Sequence, residues 1–407
     1  MFLAASCAAY TPHAFGQRVA PMPAAVSVRM ETPCDTRYGG FEPDWLIDGV
    51  KAVREKNDEV LPLLQDLRER RFFRLYAADL LASCSYMPTA EEPCELGECE
   101  VDAVDEVPDE LKERDESESE FELDSWARWD QPSDFTEYYD LIENAEGHTG
   151  YDGSDVWRFI HAKISFQKGI DLPGNEFKAE FNRAVSGVHA CVSAQIVEGI
   201  EEEDPEKALD EYRRRLRDEP EAVPNLLFTY MLTLCAIDKS RERLESCSYL
   251  GEGVELLPTM KKLTASALVN DAAVQNAATN LIRHADSAEE ASWKLRMRTR
   301  DLLRIMNCVQ CNICRLHGKV KALGLAAALE VLLGIQGRGE DCNKPADPAS
   351  LHRVQVAALV TLCAKLSAAC ATVERYEALD AAAAAAGDLA EDGDADTMSE
   401  GAEATAA

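Results

Sequence analysis

The segment Asn307–Lys319 reads NCVQCNICRLHGK and sets Cys308, Cys311 and Cys314 three residues apart, with His317 continuing the spacing. Side chains of these types at this spacing support three kinds of chemistry. Three thiolates and an imidazole can hold zinc, and three cysteines two apart match part of the iron–sulfur run C-x2-C-x2-C-x3-C. The fourth cysteine of that run is missing, and a structural zinc site usually joins two knuckles whereas the chain has no second C-x2-C. The second option is a redox dithiol, Cys311-x-x-Cys314, at the start of a helix beside Arg315 and Lys319. A helix N-terminus and nearby cations favour the thiolate, which is the nucleophile. The third option is packing, because cysteine is among the most buried residue types. Packing suits Cys191, Cys235, Cys363 and Cys370, which lie in apolar helical stretches. It suits the Cys308–Cys314 cluster poorly, since three cysteines fall there within seven residues.

A second pair, Cys94 and Cys99, lies in the phrase PCELGEC, where four intervening residues with a glycine allow a small disulfide ring. Of the 34 residues from Glu91 to Asp124, 17 are Asp or Glu and two are basic. Such a segment buries too little apolar surface to offset its ordering entropy, which predicts a solvated loop. Thiol–disulfide exchange needs direct sulfur contact, so a dithiol on a loop and another on a packed helix suit a relay.

The elements that must position these cysteines read as helices. Val60, Leu63, Leu64 and Leu67 recur at three and four residues within Glu42–Leu81. Further helices are expected over Ser154–Ser165, Asn175–Glu198, Pro205–Arg217, Asn225–Asp238, Ala265–Ala285, Glu289–Met306, Ile313–Gly334 and Ser350–Leu379, with a short aromatic helix at Phe135–Asn144. No window alternates with a sustained period of two, so the fold class is all-α. Residues 36–379 are expected to form one helical domain containing the acidic mobile loop 91–124. Residues 1–35 and the acidic tail 380–407 are expected to be disordered.

Net charge excludes some partners. The 407 residues carry 42 basic and 74 acidic side chains, a balance of −32, which argues against nucleic acid and anionic membrane surfaces. No run reaches the roughly 18 apolar residues of a membrane span. The most apolar stretch, Gly324–Ile335, carries Glu330 and reads as a buried helix. Phe2–Ala9 is a short apolar run followed by small residues, as in a secretory leader, but no basic residue precedes it. Both readings of that terminus stand. The C-terminus shows no Lys-Asp-Glu-Leu-type retrieval signal.

Arg304–Leu333 (RIMNCVQCNICRLHGKVKALGLAAALEVLL) resembles the hallmark segment of the endoplasmic oxidoreductins, flavin-dependent oxidases of the endoplasmic reticulum. Other blocks follow in family order: the C-x4-C loop with Asp105-Glu106-Val107-Pro108, then Glu137–Gly153, Ser186–Ala190 (SGVHA) and Leu351–Leu362. The resemblance runs from about Cys34 to Leu379. It implies one α-helical domain around FAD in the reticulum lumen, at most peripheral to the luminal membrane face. By that resemblance Cys311 and Cys314 lie against the flavin, and Cys94 and Cys99 shuttle electrons from protein disulfide isomerase. Oxygen is then the acceptor and hydrogen peroxide the product. Cys84 and Cys308 match a structural bridge, and Thr149, Ser186, His189 and Arg215 match flavin-binding positions; His317 is not expected to be a ligand. The chain departs from the pattern at Gly147 and Ala222, where arginines are expected, and at Ile160, where a tryptophan is expected. Two other readings stay open. One is a non-catalytic helical protein that binds thiol oxidoreductases through its acidic loop, and the other is a zinc or iron–sulfur protein using Cys308, Cys311 and Cys314.

Overall fold

Leu46, Val53, Val60, Leu64 and Leu67 repeat at helical spacing along α1 (Asp44–Glu69), and the fold buries all five completely. The computed structural model describes residues 44–82, 101–103, 137–146, 176–245, 256–283, 288–309, 311–333 and 353–397, all within one unit, Asp44–Ala407. After a single turn at Arg71–Arg74, which buries Phe72 and Phe73, the chain becomes extended. Strand β1 (Leu75–Ala78) pairs antiparallel with β2 (Glu137–Asp140), placing Tyr76 opposite Tyr139. This corrects two expectations, the helix over Phe135–Asn144 and the helical continuation to Leu81. Aromatic residues favour a pleated, half-buried surface, and four residues are too few to show alternation.

The remaining described elements are helical: α2 (Glu176–Glu201), α3 (Pro205–Tyr212), α4 (Ala222–Lys239), a single turn at Arg241–Leu244, α5 (Leu257–Thr264), α6 (Ala272–Arg283), α7 (Ala288–Met306), α8 (Asn312–Leu333) and α9 (Arg353–Thr397). The class is all-α, with the small ribbon as its exception. Local chemistry sets the boundaries. Asp204 caps α3 by accepting from Lys207 N–H at 3.1 Å, and a π-helical turn, Arg213–Arg217, follows. The single helix expected over Ala265–Ala285 is interrupted, because Asn270 Nδ2 donates to Thr264 O and Ser266 O, both at 2.8 Å. Asp271 Oδ1 then accepts from Ala273 N–H at 2.9 Å and starts α6. The last helix, expected to end at Leu379, runs on to Thr397 through the alanine run, with Asp380 bonded to Arg213 at 2.7 Å and Arg217 at 3.0 Å. The expected Ser154–Ser165 helix lies outside the described residues.

Two glycines set how closely the core helices approach. A Cβ at Gly187 would lie 2.0 Å from Thr229 Oγ1, so α2 and α4 can cross there only without a side chain. A Cβ at Gly324 would meet Ala358 O at 2.4 Å where α8 lies on α9. Within α9, Val354–Ala385 is long and apolar enough to cross a membrane, with mean hydropathy 1.9 over an 18-residue window, against the expectation that no stretch would be. The rest of the fold buries 89% of that window, which is how the core helix of a globular unit looks.

Candidate active site

Cys311 immediately precedes α8, and its carbonyl accepts the Arg315 N–H at 2.8 Å, the first bond of the helix. The Cys314 N–H points back at Cys311 Sγ, 3.2 Å away. Both cysteines are thiols; Cys311 is 5% exposed and Cys314 is half-buried. A backbone donor at a helix N-terminus is the arrangement that stabilises negative charge on sulfur. Cys308 is different, being disulfide-bonded. Every other described cysteine is a thiol, so its partner lies outside the described residues, as does the Cys84 expected to fill that role.

Side chains of α8 hold the residues before the segment that contains Cys84, Cys94 and Cys99, and Asn144 and β2 hold those after it. On the incoming side, Arg315 Nη1 donates to Leu80 O while its Nε and Nη2 donate to Val309 O at 3.0 and 2.7 Å. One turn on, Lys319 Nζ donates to Asp79 O at 2.8 Å. On the outgoing side, Ala103 bridges to Tyr139 of β2. Asn144 grips Asp102 twice, accepting its N–H at 2.7 Å and donating to its carbonyl at 3.0 Å. The Asn144 carbonyl in turn accepts from His317 Nε2 at 2.7 Å. Cys94 and Cys99 themselves lie outside the described residues.

His317 belongs to a buried cluster that the sequence did not announce. Glu146 bridges Lys321 through Oε1 and Lys365 of α9 through Oε2, with lysine side chains 1% and 5% exposed. His317 Nδ1 lies 3.4 Å from Lys365 Nζ and 3.7 Å from Glu146 Oε2. Its Nε2 faces a carbonyl, so Nε2 carries the hydrogen and Nδ1 accepts. Burial, with Lys365 alongside, lowers His317 to about 3, so the ring is neutral. The two lysines hold Glu146 well below the carboxylate range despite its burial. Burial lowers Lys365 to about 8 against the pull of Glu146. The nearby Cys191 thiol is pushed up to about 11 by burial, which makes it a packing residue, as its sequence context implied.

A family model described as Endoplasmic Reticulum Oxidoreductin 1 (ERO1) matches residues 59–373. The chain belongs to the ERO1 family. Endoplasmic reticulum oxidoreductin-1 of Kluyveromyces lactis is 25% identical over 366 residues, covering 80% of this chain but 63% of the relative. This chain thus spans less than two thirds of that relative's length. Endoplasmic reticulum oxidoreductin-1 of Arabidopsis thaliana is 28% identical over 386 residues, with 81% and 78% covered. A solved double cysteine-to-alanine mutant of Saccharomyces cerevisiae Ero1p superposes with a TM-score of 0.57 at 23% identity, covering 82% of this chain and 98% of that one. This last match carries the fold.

Three of the expected cofactor residues, Ser186, His189 and Arg215, lie among the described residues. Ser186 and His189 are both half-buried on α2, one helical turn apart, on either side of Gly187. Arg215 lies in the π-helical turn, which packs on α2 and α4, and its Nε is bonded to Glu211 Oε2 at 2.6 Å. Glu211 is held below the carboxylate range by Arg214 and Arg215 against its burial, so Arg215 already has a strong protein anion. Thr149 lies outside the described residues. Sequence reading missed Arg298 of α7. It is 1% exposed, and none of its three guanidinium nitrogens has a hydrogen-bond partner among the described residues.

Proposed function

We propose that this chain is a thiol oxidase of the endoplasmic reticulum lumen. It uses FAD to make disulfides for oxidative protein folding, with protein disulfide isomerase or a related thioredoxin-fold protein as substrate. The carrying observation is the Cys311–Cys314 pair at the N-terminus of α8 in a chain of the ERO1 family, with Cys314 N–H on Cys311 Sγ at 3.2 Å. Two thiols of the substrate become a disulfide as the Cys94–Cys99 disulfide is reduced, and that pair regains its disulfide by reducing a Cys311–Cys314 disulfide. Each exchange moves two electrons and two protons through a mixed disulfide. The helix N-terminus and the Cys314 N–H favour Cys311 as the leaving thiolate in that exchange.

The residues present fit a flavin dinucleotide. A hydroxyl and an imidazole stand on α2, and a buried guanidinium with no acceptor among the described residues lies against the same helix. FAD, when bound, supplies the two-electron sink from which oxygen is reduced to hydrogen peroxide. The anchoring of Asp79–Leu80 and of Asp102 by α8 and its partners supports the shuttle role, because Cys99 stands two residues before Val101 in the chain. The test is the visible spectrum of the purified protein, followed by peroxide release on adding reduced isomerase. A flavin band and stoichiometric peroxide are expected. A colourless protein that binds the isomerase without oxidising it would sink this reading.

A further inference from the structure

Arg298 sits on α7 with its guanidinium carbon 5.4 Å from the centre of the Phe181 ring, and Phe181 itself is 1% exposed. Phe181 belongs to α2, five residues before Ser186 and eight before His189. A cation over an aromatic face satisfies charge on one side but leaves the five N–H bonds in the guanidinium plane without acceptors. The nearest carboxylate in its own helix, Asp301, makes its ion pair with Arg300 at 3.4 Å. Burial lowers Arg298 to about 10, with Asp301 opposing only in part, so the group is charged at neutral pH. An isolated buried charge with unmade hydrogen bonds is among the costliest features a fold can hold. Its planar fork matches the paired oxygens of a phosphate, which would satisfy charge and donors together. The other buried cations, Lys319, Lys321 and Lys365, each have a protein acceptor, which sets Arg298 apart among the described residues.

We propose that Arg298 is an anion-binding residue that takes a phosphate group of the flavin dinucleotide. This rests on the FAD reading above, and the experiment separates the two. Full-length wild type, R298M and R298K are purified in parallel. Thermal unfolding and affinity are then measured with FAD, riboflavin and inorganic pyrophosphate. R298M keeps an unbranched apolar stem and removes the guanidinium and its charge. It is expected to unfold no earlier than wild type without additions, because an unmatched buried charge is gone. Its affinity for FAD should fall about ten- to a hundredfold, the range for one or two charge-assisted hydrogen bonds. Stabilisation by pyrophosphate should vanish, while riboflavin, which has no phosphate, should bind both proteins equally. R298K, charged but without the fork, should fall between them, and it carries the comparison if R298M does not fold. Wild-type affinity for FAD in both variants, or equal losses for FAD and riboflavin, would overturn the role of Arg298 and leave the cofactor reading intact. A wild type stabilised by pyrophosphate in an Arg298-dependent way but indifferent to FAD would keep the phosphate site and overturn the flavin as its source. A wild type indifferent to both would overturn both proposals.

Discussion

Replacing Glu146 by Gln leaves Lys321 and Lys365 facing each other in the core without their shared anion. Removing one partner of a buried ion pair typically costs about 3–5 kcal/mol, because the remaining charge is neither solvated nor matched. The structure divides that cost. Lys365 already sits at about 8, one pH unit above neutrality, so shedding its proton at pH 7 costs at most about 1.4 kcal/mol. Lys321, its side chain 1% exposed, is left in the core without its carboxylate partner. The expected loss at pH 7 is therefore about 3 kcal/mol, a sizeable part of the roughly 5–15 kcal/mol typical of a folded chain. A lysine whose folded pKa lies below its unfolded value binds more protons unfolded, so stability rises with pH between the two values. In wild type that window runs from about 8 to the ordinary lysine value of 10.5; without Glu146 it opens lower. Urea unfolding at pH 6, 7 and 9 should show the deficit of E146Q shrinking as pH rises. Adding Lys321→Met should recover part of it, since the second unmatched charge is replaced by apolar volume. A deficit under about 1 kcal/mol at pH 6, or a double variant weaker than E146Q, would refute the account.

Three further outcomes are expected. Cys311→Ala or Cys314→Ala should abolish peroxide formation from reduced isomerase while leaving the fold intact; wild-type turnover in either variant would remove the pair from the site. Cys94→Ala and Cys99→Ala should block oxidation of protein substrates yet spare slower turnover with dithiothreitol, and equal loss with both substrates would make that pair structural. His317→Phe should flatten the acid side of the stability profile. His317 titrates at about 3 in the folded protein against an ordinary value of 6.5, so wild type loses stability as pH falls from 6.5 towards 3, by up to about 1.4 kcal/mol per pH unit. Urea midpoints between pH 6.5 and 4.5 that fall with the same slope in both proteins would show that His317 is not the titrating group.

The helices were legible because their apolar residues recur at helical spacing over many turns, as in α1 and α2. The β1–β2 ribbon was not, since four-residue strands carry no usable period and their partners lie some sixty residues apart. The break at Ala265–Asp271 was hidden for a related reason. Asn270 and Asp271 end one helix and start the next through side-chain bonds to backbone, which apolar periodicity does not register. At the site, Cys311 and Cys314 are thiols and Cys308 is disulfide-bonded, a difference that three evenly spaced cysteines do not by themselves foretell. Arg215, read as a cofactor cation, is already paired with Glu211, an i,i+4 contact that the sequence does contain.

The sequence also contained a clue to the buried cluster, though composition masked it. Arg315, His317, Lys319 and Lys321 form the run RLHGKVK at the head of α8, the helix whose remainder is almost wholly apolar. A helix buried on all sides has no solvent face on which to place such residues, so each must find its acceptor inside the protein. Arg315 and Lys319 take backbone carbonyls of Leu80 and Asp79, His317 takes that of Asn144, and Lys321 takes Glu146. The basic residues of α8 thus act as tethers, and what they tether is the chain entering and leaving the segment that holds Cys94 and Cys99. Polar side chains that would weaken a core helix in isolation here hold Asp79, Leu80, Asn144 and Glu146 against α8.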